Sequence, residues 1–171
     1  MTLLVMLLGL LTGAALQALL PAWPWLGGAQ PPILLALVLF YAFAHNRGWM
    51  LLCALLAGLL QDALGQVPLG FSCFCFGLAG FAALRYRDDV EEHAWLAQMV
   101  FGGLAAAAVN LLLYILLHHA DVVVVSFTLA LRKTIGAALL GAVLTPLTFR
   151  VVISLERQLG ERPATHKEAG S

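Results

Sequence analysis

Apolar residues in this chain run in long, almost uncharged blocks separated by short polar breaks, with no alternation of period two. Six blocks stand out: Leu3 to Leu20, Ile33 to Ala44, Trp49 to Leu60, Leu69 to Leu84, Ala94 to Leu117 and Thr134 to Ile153. A helix needs about 20 apolar residues to cross about 30 Å of hydrocarbon, so the pattern predicts an all-α polytopic membrane protein with six spans. The second and third blocks are short, because twelve residues rise only about 18 Å. They are expected either to extend through their polar ends or to sit in a thinned bilayer. Val122 to Leu131 is too short to span and rich in β-branched residues. It either lies at an interface or opens a long, tilted last helix, and the second is favoured. Gly160 to Ser171 is polar, contains Pro163 and lacks apolar periodicity, which predicts a disordered tail. The expected division is a transmembrane domain over residues 1–158 and a cytoplasmic tail over 159–171.

Composition removes the soluble alternative. Of 171 residues, 62% are hydrophobic and 11% charged, against about 25% charged in soluble domains. A formal net charge of zero leaves no basic field for nucleic acid. No Lys or Arg precedes the first block, which is longer than a signal h-region and reads as a retained span. With the N-terminus inside, Arg47, Arg85, Arg87, Arg150, Arg157, Arg162 and Lys167 fall on the cytoplasmic side, and Arg132 and Lys133 outside. Positive residues concentrate inside, so both termini are expected in the cytoplasm. Trp23 and Trp25, in the uncharged first outer connection, suit an interfacial belt.

Candidate chemistry is sparse. The sequence has no Gly-x-Ser-x-Gly, His-Glu-x-x-His, P-loop or CxxC pattern. Cys53, Cys73 and Cys75 lie in apolar blocks and read as small packing residues. His118 and His119 are adjacent, diverge on a helix and fit an outer interface better than a shared metal. The charged connection Arg85 to His93 reads as solvated, with docking of a cytoplasmic protein the minority alternative. The densest signal is AGLLQDALGQVPLGF, Ala57 to Phe71. Gly58 and Asp62 share one helix face, and Gly65, Pro68 and Gly70 supply breaks for a tight return. An acid at a helix C-terminus opposes the macrodipole and is expensive near hydrocarbon, so Asp62 is expected to have a partner. Arg132 or Lys133, the outer positive residues, is the expected one; the bland alternative is a solvated loop acid. Gly9 and Gly13, Gly102 and Gly103, and Ala138 and Ala142 favour close helix packing, and Asn110 is expected to hydrogen-bond between helices, with substrate contact the lesser alternative.

Three stretches together resemble the MreD family of bacterial rod shape-determining membrane proteins: Gln30-Pro31-Pro32 opening ILLALVLFYAFA; AGLLQDALGQVPLGF with Gly58, Asp62, Gly65 and Gly70; and the six-block layout with Pro146 in the last block. The resemblance covers about residues 1–158. It departs where Pro32 is followed by Ile33, a position polar in many members. The resemblance implies a non-enzymatic, cofactor-free subunit of the inner-membrane machinery for lateral peptidoglycan synthesis. Its direct partner would be an MreC-like single-span protein, and through it MreB, RodA and its penicillin-binding transpeptidase. The implied fold is a compact six-helix bundle similar to the substrate-binding subunits of energy-coupling-factor vitamin transporters.

Two other readings compete. A vitamin carrier of the energy-coupling-factor type would line its path with polar groups, and this chain offers chiefly Asn110, Asp62 and His118-His119. An intramembrane enzyme on lipid-linked substrates ranks last, for want of an acid, base or metal cluster.

Overall fold

A computed structural model describes residues 2–20, 28–65, 68–86, 95–119 and 127–158. They form six helices: α1 (Thr2–Leu19), α2 (Ile33–Ala44), α3 (Arg47–Gly65), α4 (Phe71–Arg85), α5 (Trp95–His119) and α6 (Phe127–Gln158). The regular structure of the described residues is all-helical, as the block pattern predicts. Three of these helices are long and apolar enough to cross a membrane: α3, α5 and the Thr128–Leu155 stretch of α6. The other three are shorter apolar helices.

The two short blocks resolve differently. α3 runs through polar residues at both ends of Trp49 to Leu60 and reaches 19 residues. α2 keeps its 12 residues and is surrounded by protein. Its sequence has no polar face, every residue from Ile33 to Phe43 is buried, and it touches each of the other helices. Pro32 stands at its N-cap, where the missing proline N–H leaves no additional unpaired donor, and the Ala36 N–H donates to the Pro32 carbonyl at 3.1 Å. Toward its C-terminal end Phe40 meets Phe149 of α6 edge-on at 5.3 Å, and Phe43 meets Phe101 of α5 at 5.5 Å.

Small residues set how closely the helices approach. Gly9 and Gly13 of α1 face α2: a Cβ at Gly13 would stand 3.2 Å from both Ile33 and Leu37 side chains. The longest seam joins α5 to α6. There Gly102, Gly103 and Ala106 lie against Ala138, Gly141, Ala142 and Thr145, and a Cβ on Gly141 would come within 2.6 Å of the Ala106 methyl and 2.7 Å of the Gly102 carbonyl oxygen. α6 stays helical through Pro146, beside which Thr145 and Thr148 donate their hydroxyls back to the Gly141 and Leu144 carbonyls. The outward faces of α1, α5 and α6 carry exposed aliphatic residues such as Leu11, Leu104 and Val143. Apolar exposure on this scale fits hydrocarbon as the solvent.

The last helix begins at Phe127, so Phe127 to Leu131 open it, as favoured from the sequence. Residues 122–126, the Trp23–Trp25 segment, the connection from Arg87 to Ala94, Asp121 and the tail over 159–171 lie outside the described residues.

Candidate functional site

The stretch that carries the sequence signal folds into the corner between α3 and α4. α3 continues to Gly65, so Asp62 sits in its last turn, where the C-terminal dipole disfavours an anion. Pro68 and Leu69 lead to Gly70, which stands at the N-cap of α4 with φ 104° and ψ −19°. That left-handed backbone suits glycine, but glycine has no side chain with which to cap the helix. Asp62 supplies the cap from eight residues upstream. Its Oδ2 accepts the Gly70 N–H at 2.7 Å and its Oδ1 accepts the Ser72 N–H at 3.1 Å. The positive end of α4 thereby offsets the unfavourable end of α3.

Asp62 is 1% exposed, so its carboxylate is enclosed by the fold. Gly58, one turn earlier, makes this enclosure possible. A Cβ there would fall 2.5 Å from the Cys73 backbone nitrogen and 2.8 Å from its sulfur, so α3 and α4 touch backbone to backbone at that point. Cys73 adds a contact from its thiol to the Leu55 carbonyl at 3.3 Å. Gly58, Asp62 and Gly70 thus act in one corner, whose outer face exposes Gly65, Pro68 and Leu69.

Two expectations about partners change. Asp62 is partnered by backbone amides of α4, not by Arg132 or Lys133, which are exposed on α6. A carboxylate buried beside two amide donors gains from them without ordering a long basic side chain. Asn110 is half-buried in α5, and its Nδ2 donates to the Ala106 carbonyl of its own helix at 3.0 Å, where a bond between helices was expected. Pro31 is buried and Pro32 half-buried before α2. His118 and His119 are exposed, with the His118 ring stacked on Tyr114 at 5.9 Å. All three cysteines are free, with Cys53 and Cys75 buried.

Sequence reasoning passed over three polar side chains at or near the corner. Gln17 of α1, 3% exposed, donates its Nε2 to Oε1 of Gln61 at 2.7 Å, tying α1 to the residue before Asp62. The signal was present, since Gln17 is an amide inside an otherwise apolar block. Ser72 is 1% exposed, and its Oγ, like Oε1 of Gln17, has no hydrogen-bond partner among the described residues. Among the described residues, no three His, Cys, Asp or Glu side chains are grouped so as to hold a metal ion. The arrangement provides no paired nucleophile and base; what it does chemically is hold a tight interhelical corner. No protein-family model, curated protein or solved structure matches the chain.

Proposed function

We propose that this chain is an integral membrane subunit of a bacterial wall-elongation complex, of the MreD type, that holds an MreC-like single-span partner and so supports lateral peptidoglycan synthesis and rod shape. In this reading the helices pack as one six-helix bundle in the inner membrane with both termini cytoplasmic. The bundle itself does no chemistry: MreB, RodA and its penicillin-binding transpeptidase connect through the partner.

The observation that carries the reading is the α3–α4 corner. The stretch in which the resemblance is densest is also where the fold has a buried acid, a backbone-to-backbone helix approach and a left-handed glycine. Around it lies a largely apolar surface, including the 73% exposed Leu69, at one end of the helices. An exposed apolar surface beside a tightly packed corner suits recognition of another chain.

Depleting the protein in its native host tests the proposal. Rod-shaped cells are expected to widen and round while side-wall incorporation of labelled peptidoglycan precursor falls. Cells that keep their shape but come to depend on an added vitamin would instead support the carrier reading and overturn this one.

A further inference from the structure

Between α4 and α5 lies a cleft of about 270 Å³ with apolar walls. Leu78 and Ala82 line it from α4; Phe101, Leu104, Ala105 and Ala108 line it from α5. Elsewhere in the molecule facing small residues bring helices into contact, as Gly102 and Gly141 do on α5 and α6. Here the facing alanines leave a gap. Leu78 and Leu104 on its rim are 46% and 65% exposed, so the cleft opens sideways toward whatever solvates the helix faces. In a bilayer that solvent is hydrocarbon, and a gap left dry would forfeit dispersion contacts along its whole lining.

Beyond one end of the cleft the surface changes character. Leu78, Ala82 and Arg85 follow one another at i, i+4 and i+7 on α4, so Arg85 continues the same stripe one turn beyond the lining. Arg85 is exposed and forms no ion pair among the described residues. Beside it, the half-exposed Tyr86 packs its ring at 5.9 Å from Phe101, which lines the cleft. α4 ends at Arg85 and α5 begins at Trp95, so the nine-residue connection over 86–94 starts at this end, which sets it at the edge of the apolar zone. An apolar cleft with an arginine and a tyrosine just beyond one end of its lining matches a molecule with a long tail and a phosphate head.

We propose that this cleft is a binding site for one membrane phospholipid, its acyl chain lying between α4 and α5 and its phosphate on Arg85. A guanidinium binds phosphate through paired N–H donors, which a lysine at the same place would not reproduce. The proposal rests on the membrane reading alone and is independent of the partner.

The test is native mass spectrometry of the full chain, delipidated in detergent and titrated with a defined mixture of phosphatidylglycerol and phosphatidylethanolamine. One phospholipid is expected to rebind the wild-type chain and to be retained on transfer to the gas phase. Filling the cleft with Ala105→Phe and removing the guanidinium with Arg85→Gln are each expected to weaken retention by about tenfold. Val143→Phe, on an exposed part of α6, is expected to leave retention unchanged. Retention indifferent to both cleft variants overturns the site. So does a photoreactive residue at Leu104 that captures a protein segment in cells where a lipid is expected. Alkaline extraction of the same variants reads membrane integration separately, so loss of the lipid site and failure of the membrane reading give different results.

Discussion

Replacing Asp62 by alanine removes both acceptors of the α4 cap at once. The Ser72 N–H is buried and the Gly70 N–H partly so. A buried donor left unpaired costs about 1–3 kcal/mol, and the loss of an N-cap costs about 0.5–2 kcal/mol. Since these describe overlapping parts of one change, the expected loss is about 2–4 kcal/mol. Asp62→Asn keeps one carbonyl acceptor but points an amide group at the second N–H, and should lose about half as much. At about 2–4 °C per kcal/mol for a chain of this size, the melting temperature in mild detergent should fall by roughly 4–16 °C for Asp62→Ala. Arg132→Gln and Lys133→Gln should each stay within about 0.5 kcal/mol of wild type, because both side chains are exposed. Differential scanning fluorimetry over the four variants gives the ranking. An unchanged melting temperature for Asp62→Ala would refute the cap, and a loss in Lys133→Gln or Arg132→Gln as large as in Asp62→Ala would restore the ion pair.

Neighbouring positions yield contrasting outcomes in the same assay. Ser72→Ala deletes a buried hydroxyl with no partner among the described residues while leaving the backbone N–H on Asp62, so stability should hold or rise; a loss above about 1 kcal/mol would show that the hydroxyl is bonded. Gly58→Ala should cost about 1–3 kcal/mol, since its methyl would meet Cys73 backbone, whereas Gly77→Ala meets nothing within 4 Å and should be neutral or stabilising by up to about 1 kcal/mol. Equal effects at the two glycines would contradict the close approach of α3 and α4. Gly141→Leu should separate α5 from α6, seen as a lower melting temperature and faster proteolysis of the α6 segment, because its side chain would enter the Ala106 and Gly102 backbone contact; wild-type behaviour would place the seam elsewhere.

Helices were the most legible feature, because apolar runs in a chain with so few charges leave little else for the backbone to form. The bounds of α2 are those of the block Ile33 to Ala44. What the pattern did not show is that this helix is enclosed by the others. A uniformly apolar helix looks the same whether lipid or protein surrounds it, and only the contacts distinguish the two. The importance of Gly58, Asp62 and Gly70 was visible from spacing, yet the partner of Asp62 was not. Backbone amides leave no trace in a sequence, whereas Arg132 and Lys133 stand out in it as charge complements. Asn110 misled in the opposite direction, since an amide within an apolar block can satisfy one donor on its own helix. Gln17 is a visible amide in an apolar block, but nothing in the sequence pairs it with Gln61 across α1 and α3.

The scaffold reading is tested most directly by purifying the tagged chain from native membranes in mild detergent and identifying what accompanies it. An MreC-like single-span protein is expected together with wall synthases, with weaker recovery of both from Leu69→Asp, which charges the exposed corner while the Asp62 cap stays intact. Recovery of an ATPase module with a bound vitamin, or recovery of the wall synthases undiminished by the corner substitution, would contradict it.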